Sequence, residues 1–330
     1  MVTQEQIARK LGISRQLVTF ALAGYPQVSD ASRKKILAAA QKMGYRPNPH
    51  ARALKRGRTG IIALWIPDQI SSHYTRVARE FNHLAKKAGH ELIITDVGND
   101  RAVEQFLSHV PIDGVFAVDS PHAVKAHLQS AAARSIPVIS LGAHCPAETD
   151  YVQVDLLAGA TKAMQHLLGT GFRRIVHATF ERTSHAGASR RQAYERAMQQ
   201  AGLKPEFFYY PLSEEQRPLV RKSIQDYVKE SGKPEAIFCH SDDVALGIYR
   251  GLCDLNLRVP EDVALVGCDG IQDTEYVESP VTTLVQPVSK MCETAWQFLT
   301  QRLENPKLKR QQAVFEPELV IRESSRRTAS

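Results

Sequence analysis

Arg15, Gln16, Thr19 and Phe20 fall on one face of a short helical stretch whose other face carries Val18 and Leu22, four residues apart. A guanidinium, a carboxamide, a hydroxyl and a flat ring displayed outward from a helix suit the base edges of a major groove. The surrounding segment supplies the charge such a contact needs. Residues 1–58 hold twelve of the forty-two Lys and Arg and only two acids, Glu5 and Asp30, a formal +10. The whole chain carries +7, so the remaining residues sum to −3. A cationic head on a nearly neutral body attracts a polyanion, and release of condensed counterions strengthens the association.

The elements that position this face are legible nearby. Thr3 and Gln6 have the spacing of a capping box, and Ile7, Ala8 and Leu11 make one apolar face of a first helix. Gly12 ends it, Ile13 plugs the turn, and Ser14 caps the second helix, which Gly24 closes. Ser29 is a third N-cap. Ile36, Leu37, Ala40 and Met43 form the stripe of the helix that follows, with Gly44 at a left-handed C-cap. Three short helices joined by tight turns give a helix-turn-helix head over residues 1–46. Its candidate DNA contacts are Ser14, Arg15, Gln16, Thr19, Phe20 and Ser29.

Residues 47–60 read as a hinge helix and linker. Pro47 restricts the chain, Asn48 is a cap, and Pro49 suits a first helical turn. The helix after it is about two turns long, too short to persist alone, and is expected to order on DNA beside a second subunit. Leu54 would then wedge between base pairs in the minor groove, flanked by phosphate-seeking Arg52, Lys55 and Arg56. A solvated basic surface, with Leu54 touching its own body, is the competing reading. The agreement of caps, turns and periodicity favours DNA.

The run VTQEQIARKLGISRQLVTFALAG, followed by VSDASRKKILAAAQKMGYRPNPHARALKRGRTGIIAL, resembles the head of the LacI/GalR family of bacterial transcription regulators. The likeness continues through IPVISLG, the ALG of DDVALG, RVPEDVALVGCDG, TTLVQP and PELVIRES, and so spans nearly the whole chain. In such regulators the operator is chosen by the first positions of the recognition helix and one a turn later, here Arg15, Gln16 and Phe20. Arg15 would read guanine and Gln16 adenine through paired hydrogen bonds. Phe20 departs from the polar or basic residue common there. It would touch a thymine methyl or fold back onto the hinge. Leu17 and Thr19 also depart from the usual Thr and Ser.

From Ile61 onward, short apolar runs alternate with amphipathic stretches. The strand candidates are 61–66, 91–95, 114–118 and 138–141, then 175–178, 207–210, 237–239 and 263–266. Helical stretches such as 74–88 and 190–201 lie between them. The alternation predicts an α/β body over residues 61–330 with parallel sheets covered on both sides, in two Rossmann-like lobes. The resemblance implies a periplasmic-binding-protein-like fold, a return of residues 290–305 to the first lobe, and an effector cleft at the carboxyl ends of the strands. It places Arg190 as an effector-binding arginine and Asp269 as an acid that accepts hydrogen bonds from sugar or ribose hydroxyls. Ser241 and Asp242 stand at the usual Asn-Asp pair, with Ser replacing Asn. His73 and Tyr74 follow the first strand, where aromatic residues stack on a ligand ring. Leu212 stands near an aromatic platform of some relatives. Taken alone, Asp269 could equally cap a turn, Arg190 pair with an acid on its own helix, and His73 be a loop residue.

Five scattered cysteines without a C-x-x-C argue for free thiols, and no histidine spacing suggests a metal site. Neither G-x-S-x-G, H-E-x-x-H, a Walker loop nor a Gly-rich dinucleotide loop occurs, so an enzyme and a cofactor are not expected. The apolar stretches are too short for a bilayer and the N-terminus lacks a signal-peptide core, which points to the cytoplasm. The expectation is a homodimeric, operator-binding regulator, a repressor tuned by a sugar or nucleoside effector. A sugar-binding protein without a DNA role and a sugar-processing enzyme are the alternatives. The cationic head weighs against the first and the missing catalytic motifs against the second.

Overall fold

The computed structural model describes residues 2–45, 58–67, 71–96, 100–180, 185–211 and 215–327. The hinge candidates Arg52, Leu54 and Lys55, and also Leu212, lie outside the described residues. The chain divides into two compact units, Met1–Thr59 and Gly60–Ser330.

In the first unit, α1 (Gln4–Leu11), α2 (Arg15–Leu22) and α3 (Asp30–Lys42) begin at the caps read from the sequence. Thr3 Oγ1 accepts the Gln6 N–H at 3.3 Å while Gln6 Oε1 accepts the Thr3 N–H at 2.9 Å. Ser14 Oγ accepts the Leu17 N–H at 3.2 Å, and Ser29 Oγ accepts the Ser32 N–H at 3.4 Å. Each bond satisfies a donor that the first helical turn would otherwise leave open. Ile7, Ala8, Val18, Ala21, Val28, Ile36 and Ala40 are buried between the helices. Two inward assignments shift. Ala21, not the half-buried Leu22, sits deepest beside Val18, and Leu37 is 46% exposed. The buried line of α3 runs from Ile36 to Ala40, and one residue further along a helix is a turn of about 100° away from that line.

The second unit holds two six-stranded sheets. The first contains β1 (Ile61–Trp65), β2 (Glu91–Thr95), β3 (Gly114–Val118), β4 (Val138–Gly142), β5 (Asp150–Val154) and β11 (Gln312–Phe315), in the order β11-β5-β4-β3-β1-β2. The second contains β6 (Ile175–Thr179), β7 (Glu206–Tyr209), β8 (Ala236–Cys239), β9 (Ala264–Asp269), β10 (Thr282–Val285) and β12 (Glu318–Val320), in the order β12-β10-β9-β8-β6-β7. Neighbours run parallel except β10 and β12. Strands β3, β4, β6 and β8 are buried along their whole length. That is why they read as continuous apolar runs: a parallel sheet is covered on both faces.

Helices α4 (Ser72–Ala88), α5 (Asp100–His109) and α6 (Pro121–Gln129) serve the first sheet. Helices α7 (Leu156–Gly169), α8 (His185–Gln200), α9 (Gln216–Ser231) and α10 (Asp242–Asp254) serve the second. The chain passes between lobes at Asp155, at Gln286–Pro287 and at Glu316–Pro317. After the second passage α11 (Val288–Glu304) packs on α4 and on β3 to β5, back in the first lobe. In each sheet the strand order reverses once, between β1 and β3 and between β6 and β8, and crevices for ligands form outside the carboxyl ends at such points.

The head has a small core. Removing a buried Ile side chain to Ala costs about 2–5 kcal/mol, which is most of what a domain below sixty residues has in hand. Ile36→Ala is expected to lose the head's cooperative melting while the lobes melt as before. Calorimetry resolving two transitions checks this, and an unchanged first transition would contradict the packing.

Inside the second lobe, His177 is fully buried, stacked on Phe238 with ring centroids 5.1 Å apart, and its Nδ1–H donates to the Phe238 carbonyl at 2.9 Å. Burial pushes its pKa down to about 3. The unfolded chain therefore takes up this proton near the ordinary histidine value while the folded chain refuses it. The stability it contributes is present above that value and is lost as pH falls toward 3. Replacing His177 by Phe should reduce the stability lost between pH 7 and pH 5 by about 2 kcal/mol, read from urea midpoints at the two pH values.

Candidate functional sites

On the head, Ser14 places α2, and Arg15 and Gln16 follow it with exposed side chains. The outward face expected from the sequence is only partly open. Thr19 Oγ1 donates to Gln4 Oε1 at 2.8 Å, and Gln4 Nε2 donates to the Tyr45 hydroxyl at 3.0 Å. Thr19 thus ties the recognition helix to α1 and to the end of the head. Phe20 is half-buried, with its ring 5.2 Å from that of Tyr25. Its partner is an aromatic of the head's own loop. Ser29 holds the N-terminus of α3 and also meets Ser32 Oγ at 3.0 Å.

In the body, both lobes bring polar groups to the carboxyl ends of their strands. Arg190 on α8 is 5% exposed. Its Nη2 donates to His240 Nε2 at 2.8 Å and its Nη1 to Cys268 Sγ at 3.5 Å. A guanidinium has no acceptor, so His240 Nε2 accepts and its proton sits on Nδ1. Burial first, then the Arg190 charge, pushes the His240 pKa well below the ordinary value, so the ring stays neutral. Asp269 ends β9, 7% exposed, and its Oδ1 accepts the Gln286 side-chain amide at 2.8 Å. Burial raises the Asp269 pKa and the Arg190 charge opposes that rise. Gln286 lies on the second passage between lobes, so the acid is tied directly to a linker.

From the first lobe come His73 and Tyr74 on α4. Their rings meet edge to face, with centroids 5.3 Å apart. Burial lowers the His73 pKa to about 4, against the pull of Asp119. Tyr74 donates its hydroxyl to Asp119 Oδ2 at 3.3 Å, and burial and the acid keep the phenol protonated. Several buried polar atoms here have no hydrogen-bond partner: His73 Nδ1, His240 Nδ1, Thr179 Oγ1 and the Tyr210 hydroxyl. Tyr210 is 3% exposed and feels the charges of Arg190 and Asp269. Buried donors and acceptors are nearly always satisfied, so a cluster of open ones calls for a ligand or water.

Two of the site residues expected from the sequence are occupied otherwise. The Asp242 side chain is fully buried and accepts from Thr283 Oγ1 at 2.6 Å and from the Ile271 N–H at 2.9 Å. Its carboxylate is spent joining α10 to β10 and to the turn after β9. Ser241 caps α10 through the Val244 N–H at 3.4 Å. The next residue, Asp243, turns about 100° round the helix to face the other lobe. It accepts the Ser72 N–H at 3.0 Å, the Ser72 hydroxyl at 2.8 Å and Arg217 Nε at 2.8 Å. Ser71 gives α4 no side-chain cap, so the cap comes from the opposite lobe. Arg76 Nη1 adds a second bridge, to the Gly270 carbonyl at 3.0 Å. Asp119, Asp243, Arg217, Tyr210 and Gln286 were not singled out from sequence. Position at a strand's carboxyl end was the available signal for Asp119 and membership of the TTLVQP segment that for Gln286, whereas Arg217 carried none.

Residues 3–48 match the model for bacterial regulatory proteins of the lacI family, and residues 164–325 match the periplasmic binding protein-like domain. The chain belongs to the LacI family. The ribose operon repressor of Haemophilus influenzae is 27% identical over 331 residues, 98% of each chain. The HTH-type transcriptional repressor CytR of Escherichia coli K12 is 26% identical over 330 residues, 98% of this chain and 96% of that one. Among solved structures, the lac repressor dimer bound to operator and the anti-inducer ONPF superposes with a TM-score of 0.81 at 20% identity, covering 98% of this chain and 99% of that one. This LacI-family chain is thus a DNA-binding regulator whose relatives are repressors rather than enzymes. Among the described residues, no helix is long and apolar enough to cross a membrane.

The cap supplied by Asp243 gives a test of how the lobes hold together. An N-cap is worth about 1 kcal/mol, with a further 0.3–1 from a charge at a helix N-terminus. Asp243→Ala should speed amide exchange in the first turn of α4 by roughly 5–30-fold, with a smaller rise in the first turn of α10, which loses one of its two N-terminal acids, and the rest of the second lobe unchanged. An equal rise throughout the second lobe would instead mean general destabilisation.

Proposed function

We propose that this protein is a transcriptional repressor that binds operator DNA as a homodimer and whose operator affinity is set by a small polyhydroxylated effector, of sugar or nucleoside class, held between its lobes. The observation that carries this reading is the set of buried, unpartnered polar atoms around Arg190 and Asp269. The ribose operon repressor and CytR are named repressors, and the lac repressor is a dimer on its operator. These likenesses support the DNA role and the dimer.

The head, residues 1–46, presents Arg15 and Gln16 to base edges, with Ser14 and Ser29 setting the helix ends near the backbone. Residues 47–60 carry Arg52, Leu54 and Lys55 into the minor groove beside the same segment of the partner. The body, residues 61–330, closes on the effector through Arg190 and Asp269, with His73 and Tyr74 lining the first-lobe side. Asp269 bears on the linker through Gln286, so a ligand that engages the acid favours one lobe angle over another. The protein acts in the cytoplasm.

Fluorescence anisotropy on the protein's own upstream DNA tests this. Arg15→Ala should cost about 1–3 kcal/mol in specific binding and relax the sequence preference, while non-specific binding keeps its salt dependence. The effector should change operator affinity in the wild type and lose that effect in Arg190→Ala. Specific binding that survives Arg15→Ala combined with Gln16→Ala would remove α2 from recognition.

A further inference from the structure

We propose that Tyr25, which lies outside α2, is a specificity-determining residue: it positions the ring of Phe20 so that the head reads the methyl group of a thymine. The inference rests on the reading of α2 as the helix that meets base edges.

The place of Tyr25 follows from how α2 ends. Gly24 holds φ +78°, which turns the chain back over the last turn of the helix. The Gly24 N–H donates to the Ala21 carbonyl at 3.3 Å and the Tyr25 N–H to the Phe20 carbonyl at 3.1 Å. This bond pair is a Schellman motif, which sets the residue after the glycine against a side chain in the last turn. The rings of Tyr25 and Phe20 accordingly meet, with centroids 5.2 Å apart and planes tilted by 58°. Arg33 on α3 completes the arrangement. Its Nη2 donates to the Tyr25 carbonyl at 2.6 Å and to the Val28 carbonyl at 3.4 Å. Both backbone polar groups of Tyr25 are thus engaged, and its ring is held beside Phe20.

The other two head helices end in the same way, with a different outcome. The Ile13 N–H donates to the Ala8 carbonyl and the Tyr45 N–H to the Ala40 carbonyl, and both side chains pack on the head's core. Tyr25 is instead 48% exposed. A cap contact alone needs no aromatic, since Ile13 serves α1, so the ring at Tyr25 answers to something else. Phe20 touches both the core and Tyr25, and it stands one helical turn beyond the exposed Gln16, on the same line of α2. A ring gripped twice at that place offers one edge in one orientation. Phe20 has no hydrogen-bonding group on its side chain. Of the groups that bases show in the major groove, the one it complements is the C5-methyl of thymine. A loose ring would have to be ordered on binding, which costs affinity. Tyr25 orders it in the free head.

The test uses the full-length chain and the duplex that the wild type selects from a random pool, with binding read by fluorescence anisotropy. Each thymine of one half-site is replaced in turn by deoxyuridine, which removes the methyl group alone. The wild type is expected to lose about fourfold in affinity at one thymine, the worth of one buried methyl group. Phe20→Ala should abolish that penalty. Tyr25→Ala should bring it below about twofold while the salt dependence stays that of the wild type, and Tyr25→Phe should keep it. The penalty is a ratio of two affinities of the same variant, so a partly unfolded head cancels from it. Tyr25→Leu, which keeps an apolar cover on the helix end without a flat ring, should lower the penalty as Tyr25→Ala does. A cap role alone would weaken the thymine and deoxyuridine duplexes equally and leave the penalty at about fourfold, which overturns the proposal. So does a wild type indifferent to every thymine methyl, or a penalty that survives Phe20→Ala. Arg15→Ala separates the two readings. Unchanged sequence selection by Arg15→Ala removes α2 from recognition, whereas selection lost there with the methyl penalty intact in Tyr25→Ala sinks only the role of Tyr25.

Discussion

Taking a guanidinium as buried as that of Arg190 out of water costs several kcal/mol even after relaxation, and partners at its Nη atoms offset that cost. The second lobe is arranged around that requirement. His240 at the end of β8 supplies a neutral acceptor, Cys268 on β9 a soft one, and Asp269 the opposing charge. Two neighbouring strands, β8 and β9, thus end against one side chain. The need to keep His240 neutral explains its depressed pKa, and the need to pair Arg190 explains why an acid persists in a site that otherwise raises its pKa.

The same floor cannot satisfy everything it buries. Tyr210, Thr179, His240 and His73 keep polar atoms without partners. An open buried donor costs about 1–3 kcal/mol, and single ones also occur in the cores, at Trp65 Nε1 and His177 Nε2. What sets this group apart is that several open atoms gather beside the Arg190–Asp269 charges. Meanwhile the rim is stitched from both sides. Asp243 caps a helix of the opposite lobe, and Arg76 reaches the carbonyl of Gly270, one residue beyond Asp269. Asp269, the linker residue Gln286 and the bridges across the rim are covalent or hydrogen-bonded neighbours. A shift at one is felt at the others without a long path.

Much of the architecture was legible in advance. The three head helices announced themselves because capping is local: Thr3, Ser14 and Ser29 act on backbone groups two or three residues away. The buried central strands read as apolar runs for the reason that both faces are covered. Strands β5, β10, β11 and β12 escaped notice. β11 and β12 are short edge strands with exposed residues, β10 is half threonine, and β5 alternates with Asp150 and Gln153. Leu37 was misplaced inward because a stripe of apolar residues does not say where the neighbouring helix stops.

The sequence by itself determined the charged head, its caps, the alternation of strand and helix, and the family, since these depend on local spacing and on runs of residue type. It also marked Arg190 and Asp269. Tertiary structure alone decided which side chains of a marked pair are spent internally. Asp242 and Asp243 are adjacent acids with the same composition around them, yet one is sealed beneath β9 and β10 and the other crosses to Ser72. Thr19, expected at the DNA face, also ties α2 to Gln4. Partners drawn from 15 to 171 positions away cannot be read from spacing along the chain, because hydrogen-bond direction is set by the packing of whole elements.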